Sequence, residues 1–219
     1  PKKTPEEAEP RGHHMTNLPK NPHCEVCYKA NIQRKPKRSK SSKPSAAEAA
    51  KAMPTKFGEQ VTGDHFIKGG RDEEEDPNFP CDTVAVVLYD RGTRYLAVYP
   101  KSAKNTANTI VAMQHFAGPK DKIQGFYCDN APELIAAATA LKWRLATATT
   151  GMPQTNGVAE NCVRRCKEGG GCAIVQSGFN PKTSWPFAGE HFCFANSIVI
   201  VNGDSAWNKR HKRGHFKGM

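Results

Sequence analysis

The sequence predicts a three-layer α/β domain with a mixed sheet over most of the chain. Two observations predict it. The runs TVAVVLYD (83–90) and RYLAVYP (94–100), which flank a glycine-containing turn, are typical of an antiparallel hairpin. Strand-like and helix-like runs then alternate toward the C-terminus, as they do in sheets covered by helices.

The elements around this hairpin can be assigned in chain order. Before it, FGEQVTGDHFI contains a short strand around Asp64. After it, apolar residues recur at helical spacing over 105–116. KIQGFYCDN (122–130) predicts a strand, an alanine-rich helix opens at a proline and covers 132–143, and RLATATT predicts the next strand.

Two helices are predicted in the last third of the chain. The loop GMPQTNG precedes a helix over 158–175, and the run Gly169–Gly171 is expected to interrupt it. Each glycine in a helix costs up to about 1 kcal/mol relative to alanine. The apolar segment 185–201 contains aromatic residues and predicts a helix for most of its length.

The charge of the chain favours a polyanionic partner. Among 219 residues, 32 are Lys or Arg and 21 are Asp or Glu, which gives a formal net charge of +11. The stretch RKPKRSKSSK (34–43) has almost no apolar content, so we expect a flexible tether or a nucleic-acid or nuclear-import patch. The acidic stretch RDEEEDPNFP (71–80) predicts a surface loop.

Several classes of protein are disfavoured by composition. No apolar run approaches the roughly 20 residues of a membrane span, so we expect no membrane partner. The N-terminal residues PKKTPEEAEP do not form the apolar core of a signal peptide. Eight cysteines include one tightly spaced pair, Cys24 and Cys27, and we expect a reducing compartment with core thiols such as Cys128 and Cys193.

Three carboxylates stand where such a fold would bring them together. Asp64 lies inside a strand, Asp129 at the end of a strand, and Glu160 early in a helix. Each alone is more often a cap or a surface charge, and Asp129 with the following Pro132 is compatible with a simple helix-entry turn. Together they form a set of hard oxygen ligands suited to Mg²⁺ or Mn²⁺.

The motifs that carry these acids resemble a known family. TGDHF, FYCDNAPEL and GMPQTNGVAENCVRR are similar to the Asp-Asp-Glu catalytic core of integrases from retroviruses and long-terminal-repeat retrotransposons, most closely the copia-like elements. SWPFAGEHFCFANSI and SAWNKRHKRGHFKGM resemble the region C-terminal to that core. HHMTNLPKNPHCEVCYKA resembles the end of the family's His/Cys zinc-binding segment, so the resemblance covers roughly residues 13–219.

The resemblance implies a fold and a reaction. The fold is ribonuclease H-like, with a five-stranded mixed sheet preceded by a short Cys/His segment and a basic flexible linker. The reaction is DNA integration, in which two Mg²⁺ (or Mn²⁺) ions about 3.5–4 Å apart support 3′-end processing and strand transfer. Asp64 would bridge both ions, and Asp129 and Glu160 would each complete one.

The resemblance also implies a division of the chain. The expected parts are a disordered tail (1–12), a partial zinc-binding segment (13–30), a basic linker (31–56), the catalytic core (57–201) and a basic C-terminal extension (202–219).

Three further residues are candidates for contacts with DNA. Asn156 lies on the loop that contacts DNA ends in the family, although a plain turn asparagine is an equal alternative. Arg164 and Lys167 come after Glu160 at i+4 and i+7, which places them on one helix face. There they would contact phosphates, or Arg164 would form an ordinary i,i+4 pair with Glu160.

A zinc site is predicted only in part. Cys24-x-x-Cys27 has metal-ligand spacing, and His13 is a third ligand. The family pattern has a second histidine where this sequence has Asn17, so Zn²⁺ binding depends on whether another histidine, His14 or His23, takes that place.

The leading hypothesis is a metal-dependent DNA strand transferase from a retrotransposon polyprotein, made in the cytoplasm and acting on DNA in the nucleus as a homo-oligomer. One alternative is a catalytically dead nucleic-acid-binding remnant, favoured by Asn17 and the glycine run. Another is a ribonuclease H-like nuclease with the same metal site.

Overall fold

A five-stranded mixed sheet with helices on both faces organises the chain. The computed structural model describes residues 13–30, 53–68, 82–148 and 156–217. The strand order is β3-β2-β1-β4-β5. The strands of the sheet are β1 (Val61–Ile67), β2 (Val84–Asp90), β3 (Leu96–Lys101), β4 (Gly125–Cys128) and β5 (Arg144–Thr147).

The helices and a small second sheet complete the described part of the chain. The short strands β6 (Ile200–Val201) and β7 (Asp204–Ser205) pair antiparallel. The helices are α1 (His13–Thr16), α2 (Glu25–Lys29), α3 (Thr106–Ala117), α4 (Pro132–Ala140), α5 (Gly157–Ser177), α6 (Pro181–Ile198) and α7 (Ala206–His211).

The centre of the sheet is where its strands change from antiparallel to parallel. β1 pairs antiparallel with β2 and parallel with β4, and Gly63 is the last residue of β1 that pairs with β4, opposite Cys128. A side chain at position 63 would lie 2.8 Å from Leu88 and 2.9 Å from the Phe126 ring, so only glycine fits. The parallel pairing therefore stops immediately before Asp64 and Asp129.

The side chains of β2 alternate between two apolar cores. Val86 and Leu88 face α3 and α4, while Ala85 and Val87 face α5 and α6. Buried helix residues fill each core: Met113, Phe116 and Leu134 on the first side, and Cys162, Cys166, Phe192 and Cys193 on the second. The predicted three-layer α/β architecture with a mixed five-stranded sheet is confirmed.

Capping residues set the starts of two predicted helices. Asn105 precedes α3, and its Oδ1 accepts a hydrogen bond from the Asn108 backbone N–H at 2.8 Å. Asn180 caps α6 in the same way, and Pro181 takes the first helical position. Helix α6 thus begins four residues before the predicted residue 185, and Ile200 and Val201 form a strand instead of extending the helix.

The predicted interruption at Gly169–Gly171 is wrong. α5 runs unbroken from Gly157 to Ser177. A Cβ at Gly169 would overlap the ring of Phe192, and a Cβ at Gly170 would lie 3.5 Å from the Gly189 backbone. These two glycines allow α5 and α6 to pack closely, and the packing offsets their low helix propensity.

Substitutions in this run should therefore have opposite effects. We expect Gly169→Ala to destabilise the fold by about 1–3 kcal/mol, because the Phe192 ring must move in a close-packed core. Gly171→Ala is the matched control, since open space surrounds that position and alanine gains up to about 1 kcal/mol of helix propensity. Urea unfolding of both variants measures the difference, and equal effects would contradict this packing account.

The C-terminal helix α7 contacts the core in part through the Arg210 side chain. The Arg210 guanidinium lies 4.1 Å from the centre of the Phe57 ring and 4.3 Å from that of Tyr95. Its Nη2 also donates a hydrogen bond to the Phe116 carbonyl oxygen at 2.6 Å. Helix α7 therefore covers one edge of the apolar core between the sheet and α3.

Other expectations from the sequence have mixed outcomes. The thiols of Cys128 and Cys193 are buried, as predicted for core cysteines. The tail 1–12, most of the basic tether (31–52), the acidic stretch 71–80 and most of the loop before α5 (149–155) lie outside the described residues. Within the described ranges, no helix has the length and apolar character that a membrane crossing requires.

Candidate metal and nucleic-acid site

The first candidate acid, Asp64, lies in the middle of β1, just past the parallel pairing with β4. Its side chain is half-buried, and its Oδ1 accepts a hydrogen bond from the His65 backbone N–H at 2.7 Å. A carboxylate inside a central strand is unusual because burial disfavours its charge. Asp64 therefore lies at the point where β1 is no longer paired with β4, and its carboxylate is partly accessible to solvent.

The second candidate acid, Asp129, is the residue after β4. Its Oδ1 accepts a hydrogen bond from the Ala131 backbone N–H at 3.0 Å, immediately before α4 begins at Pro132. The helix-entry turn considered from the sequence is therefore present. The same residue comes directly after Cys128, the partner of Gly63, so the turn also holds its carboxylate beside Asp64.

The third candidate acid, Glu160, lies in the first turn of α5 and is exposed. Because α5 packs across β1 and β2, its N-terminal turn faces the strand that carries Asp64. An open cleft of about 510 Å³ has both carboxylates in its wall, together with Arg164, Lys167 and Glu168.

The pKa of Asp64 depends on its burial and on the other two acids. Burial, and after it the negative charge of Asp129, raises the pKa of Asp64 to about 6, and Glu160 contributes in the same direction. The His65 N–H and the Lys104 ammonium group act in the opposite direction and do not cancel the effect. The negative charges of Asp129 and Glu160 therefore act on Asp64, although the ligand atoms of these three described acids do not all lie within 4.8 Å of one another.

Sequence reasoning missed the polar residues that surround the acids. The Lys104 ammonium lies 3.5 Å from a Glu133 carboxylate oxygen, and His65 Nε2 lies 3.1 Å from Thr109 Oγ1. Burial and the nearby Lys104 charge lower the pKa of His65. His65 could have been found, because it is the neighbour of Asp64 in sequence, whereas no local signal connects Lys104 to the site.

Arg164 lies on the predicted helix face, but the alternative ion pair with Glu160 is absent. It lines the cleft with Asp64 and Glu160, but its ion pair is with Glu168, at 3.1 and 3.2 Å, and not with Glu160. Its second nitrogen donates to Asn161 Oδ1 at 2.6 Å. The guanidinium is therefore held along α5 by Glu168 and Asn161, and it lines the cleft.

Lys167 and Asn156 occupy different environments. The Lys167 side chain is exposed, lines the cleft and places its ammonium 5.1 Å from the centre of the Phe66 ring. Asn156 is 8% exposed and directly precedes α5. Among the described residues its Oδ1 has no hydrogen-bond partner, so its side chain is not a helix cap.

A second cluster of ligand atoms lies in the N-terminal segment. The ligand atoms of His13, Cys24 and Cys27 all lie within 4.8 Å of one another, and all three residues are buried. His13 Nε2 is 3.4 Å from Cys27 Sγ. In a tetrahedral zinc site with ordinary bond lengths, such atoms are separated by about 3.5 Å. The three residues predicted from the sequence therefore fit zinc.

The fourth position of this cluster is not filled by a histidine. Asn17 is buried, and its Oδ1 lies 3.8 Å from Cys24 Sγ. His14 and His23 are exposed and do not belong to the cluster. Asn17 adopts a positive φ of 51°, a conformation that asparagine tolerates better than most residues, and it ends α1.

A peptide covering residues 11–30 should consequently bind Zn²⁺ weakly. Replacing Asn17 with histidine adds a ligand, and we expect an affinity gain larger than the roughly 10- to 100-fold effects of outer-shell partners. Competition with a chelator of known affinity measures both peptides. Equal affinities would mean that His14 or His23 already supplies the fourth ligand in the peptide.

The sheet order and the helix layers define a ribonuclease H-like fold. The chain is similar to a chain of the simian T-cell lymphotropic virus intasome, solved in complex with PP2A regulatory subunit B56 gamma (15% identity, TM-score 0.55). The alignment covers 86% of this chain and 63% of that one, so this chain spans less than two thirds of that protein.

A second solved structure aligns with this chain over almost its entire length. The HTLV-2 integrase catalytic core domain, in complex with magnesium and in a trimeric form, aligns over 72% of this chain and 99% of its own length (15% identity, TM-score 0.52). No protein-family profile and no curated protein sequence matches the chain. The chain therefore has the fold of retroviral integrase catalytic cores.

Proposed function

We propose that this chain is a polynucleotidyl transferase that cleaves and joins DNA at the site formed by Asp64, Asp129 and Glu160. The observation that carries the proposal is the half-buried carboxylate of Asp64 beside two further acids: burial, and after it the charges of Asp129 and Glu160, raises the pKa of Asp64 to about 6. A buried charge at this edge is unfavourable for folding alone. A ligand set for divalent cations is the physical role that explains it.

In this proposal, some residues of the chain bind metal ions and others position the DNA. Asp64, Asp129 and Glu160 would hold two Mg²⁺ or Mn²⁺ ions, since carboxylate oxygens suit these cations. When bound, such a pair activates the attacking oxygen and stabilises the leaving oxygen of an in-line displacement at phosphorus. The attacking oxygen belongs to water during 3′-end processing and to the DNA 3′ hydroxyl during strand transfer, so no protein nucleophile is required.

The partner of this site is DNA. Arg164 and Lys167 line the cleft beside the acids and would contact phosphates, with Arg164 oriented by Glu168. Asn156 immediately precedes α5, the helix that carries Arg164 and Lys167, and is proposed to contact a DNA end. The net charge of +11 supports a polyanionic partner.

We extend the proposal to the setting of the protein. The motifs resemble copia-like retrotransposon integrases, so the chain would derive from a polyprotein made in the cytoplasm and would act as a homo-oligomer in the nucleus. The division of the chain into the parts 1–12, 13–30, 31–56, 57–201 and 202–219 is also part of this proposal. The HTLV-2 core domain, which is trimeric in one structure, supports self-association as a property of the fold.

The His13, Cys24 and Cys27 cluster is proposed to bind a structural Zn²⁺ ion. Its three ligand atoms converge within 4.8 Å in a buried environment. Structural zinc ions stabilise small segments that have little apolar core of their own.

One observation favours a second candidate, a DNA-binding remnant without catalysis. Asn17 replaces a histidine of the resembled zinc segment, and such a loss is compatible with a decayed copy. All three acids of the resembled motifs are nevertheless present in the sequence, which favours the enzyme.

Incubation of the full chain with a labelled DNA duplex and Mg²⁺ distinguishes the candidates. Labelled products longer than the substrate are expected, because strand transfer joins one end to another duplex. Products that are only shorter than the substrate indicate a nuclease, and binding without either product indicates the remnant. Omission of the metal is the control and should abolish joining.

A further inference from the structure

The N-terminal segment contacts the helix that carries Glu160 through buried thiols. Cys24, Cys27 and Cys172 form one apolar cluster, with exposed fractions of 6%, 0% and 0%. Cys172 belongs to α5, twelve residues after Glu160, whereas the other two cysteines belong to the segment around α2. A third cysteine, from the core domain, is therefore placed against the two candidate zinc ligands.

A structural zinc ion takes four ligands, and His13, Cys24 and Cys27 supply three. The amide of Asn17 is not among the usual zinc ligands. His14 and His23 are exposed, outside the cluster. Of the described residues packed against both ligand thiols, Cys172 has the side-chain chemistry that zinc selects.

We propose that Cys172 is the fourth ligand of a His13-Cys24-Cys27-Cys172 zinc site that joins the N-terminal segment to the core domain. The inference rests on the proposed three-residue zinc site and adds its missing ligand. The Cys172 ligand atom lies outside the group of atoms within 4.8 Å of one another, so a rotation of its side chain or a small approach of α2 closes the site.

Two contacts support a fixed placement of the segment on α5. Gln176, one turn beyond Cys172, donates from Nε2 to the His14 carbonyl oxygen at 3.2 Å. Ala30, after the end of α2, lines the same cleft as Asp64 and Glu160. The zinc ion would therefore fasten a segment that forms part of the wall of the catalytic cleft.

Cobalt substitution in the full chain tests the ligand assignment. Each coordinating thiolate adds to the ultraviolet charge-transfer band of tetrahedral Co²⁺, so Cys172→Ala should lower the band per bound ion by about one third. Its affinity for Zn²⁺ should fall by at least about 100-fold, since a ligand contributes more than an outer-shell partner. The control is Cys162→Ala, a buried cysteine of the same helix that faces the sheet.

A Cys172→Ala variant with an unchanged cobalt band and unchanged zinc affinity would overturn the assignment. The double variant Asn17→His/Cys172→Ala should regain four-ligand affinity while its band remains that of two thiolates. A full chain that binds no Co²⁺ would instead remove the zinc site itself. The joining assay is separate and tests the Asp64 site on its own.

A measurement on the unmodified chain avoids any folding defect of the variants. The cobalt complex of the unmodified chain should show the charge-transfer band of three coordinated thiolates, because Cys24, Cys27 and Cys172 would all bind the ion. A band of only two thiolates would contradict the proposal.

Discussion

Glu160→Gln should abolish strand transfer by the full chain while leaving its fold and most of its DNA affinity intact. The substitution keeps the size of the side chain and its place in the first turn of α5. It removes one of three carboxylates that would hold the cations. The electrostatic stabilisation at stake is several kcal/mol, and about 1.4 kcal/mol corresponds to a tenfold change in rate. We expect a loss of several hundredfold or more in joined product.

The control for this variant must be a glutamate outside the cleft. Glu168 is unsuitable, although it is two turns further along α5, because it lines the same cleft and holds Arg164 at 3.1 Å. Glu190 is exposed on α6 and does not line this cleft, so Glu190→Gln should join DNA at the wild-type rate. Equal losses in Glu160→Gln and Glu190→Gln would show that the acid has been wrongly chosen.

Asp64→Asn should stabilise the metal-free protein at pH 8. The folded-state pKa of about 6 exceeds the ordinary value of 3.8, so the fold binds this proton more tightly than the unfolded chain does. The contribution of Asp64 to stability is therefore greatest below pH 4 and is lost as the pH rises through 6. The loss amounts to about 3 kcal/mol, since each pKa unit corresponds to 1.36 kcal/mol.

Asparagine carries no charge at either pH and retains an oxygen to accept the His65 N–H. We expect the variant to melt about 6–12 °C above the wild type at pH 8 and at nearly the same temperature at pH 4. Added Mg²⁺ should stabilise the wild type more than the variant, because ligands that bind only the folded state shift its stability. A difference that is the same at both pH values would contradict the charge argument.

Asp90 provides the opposite case. Its carboxylate is fully buried and accepts hydrogen bonds from the Gly58 N–H at 2.9 Å and from the Thr93 N–H and hydroxyl at 2.7 Å. These donors satisfy the charge, and Asp90→Asn would leave one of them poorly paired. That change should destabilise the fold by about 1–3 kcal/mol, as measured by urea unfolding. Opposite signs for Asp64→Asn and Asp90→Asn separate an acid kept for a site from an acid kept for the fold.

Local patterns predict the parts of the fold that depend on local chemistry. β-branched runs around a turn predict the hairpin of β2 and β3, and helical spacing after the cap Asn105 predicts α3. Helix propensity fails at the glycine run because it is a local quantity. The compensating contact, Phe192 against Gly169, comes from the next helix in sequence and is visible only in three dimensions.

The sequence predicts the three acids of the candidate site but not the contacts of the residues around them. Asp64 is conspicuous because a charge is rare inside a strand, and the motifs of the resembled family supply its partners. The pairing of Arg164 with Glu168 instead of Glu160 depends on side-chain rotamers, since both spacings are four residues along α5. Cys172 lies 145 residues after Cys27, so no spacing rule could connect them.

The three acids also bear on how such a sequence would change under neutral drift. They lie on β1, after β4 and on α5, and the Asp129 carboxylate also accepts a hydrogen bond in the turn before α4. Asp64, by contrast, opposes folding at neutral pH, so a copy released from selection on its chemistry could replace it and become more stable. An unselected lineage would be expected to lose this residue early. The proposed phosphoryl transfer would require Asp64 beside Asp129 and Glu160, and this requirement accounts for an acid that the fold alone does not need.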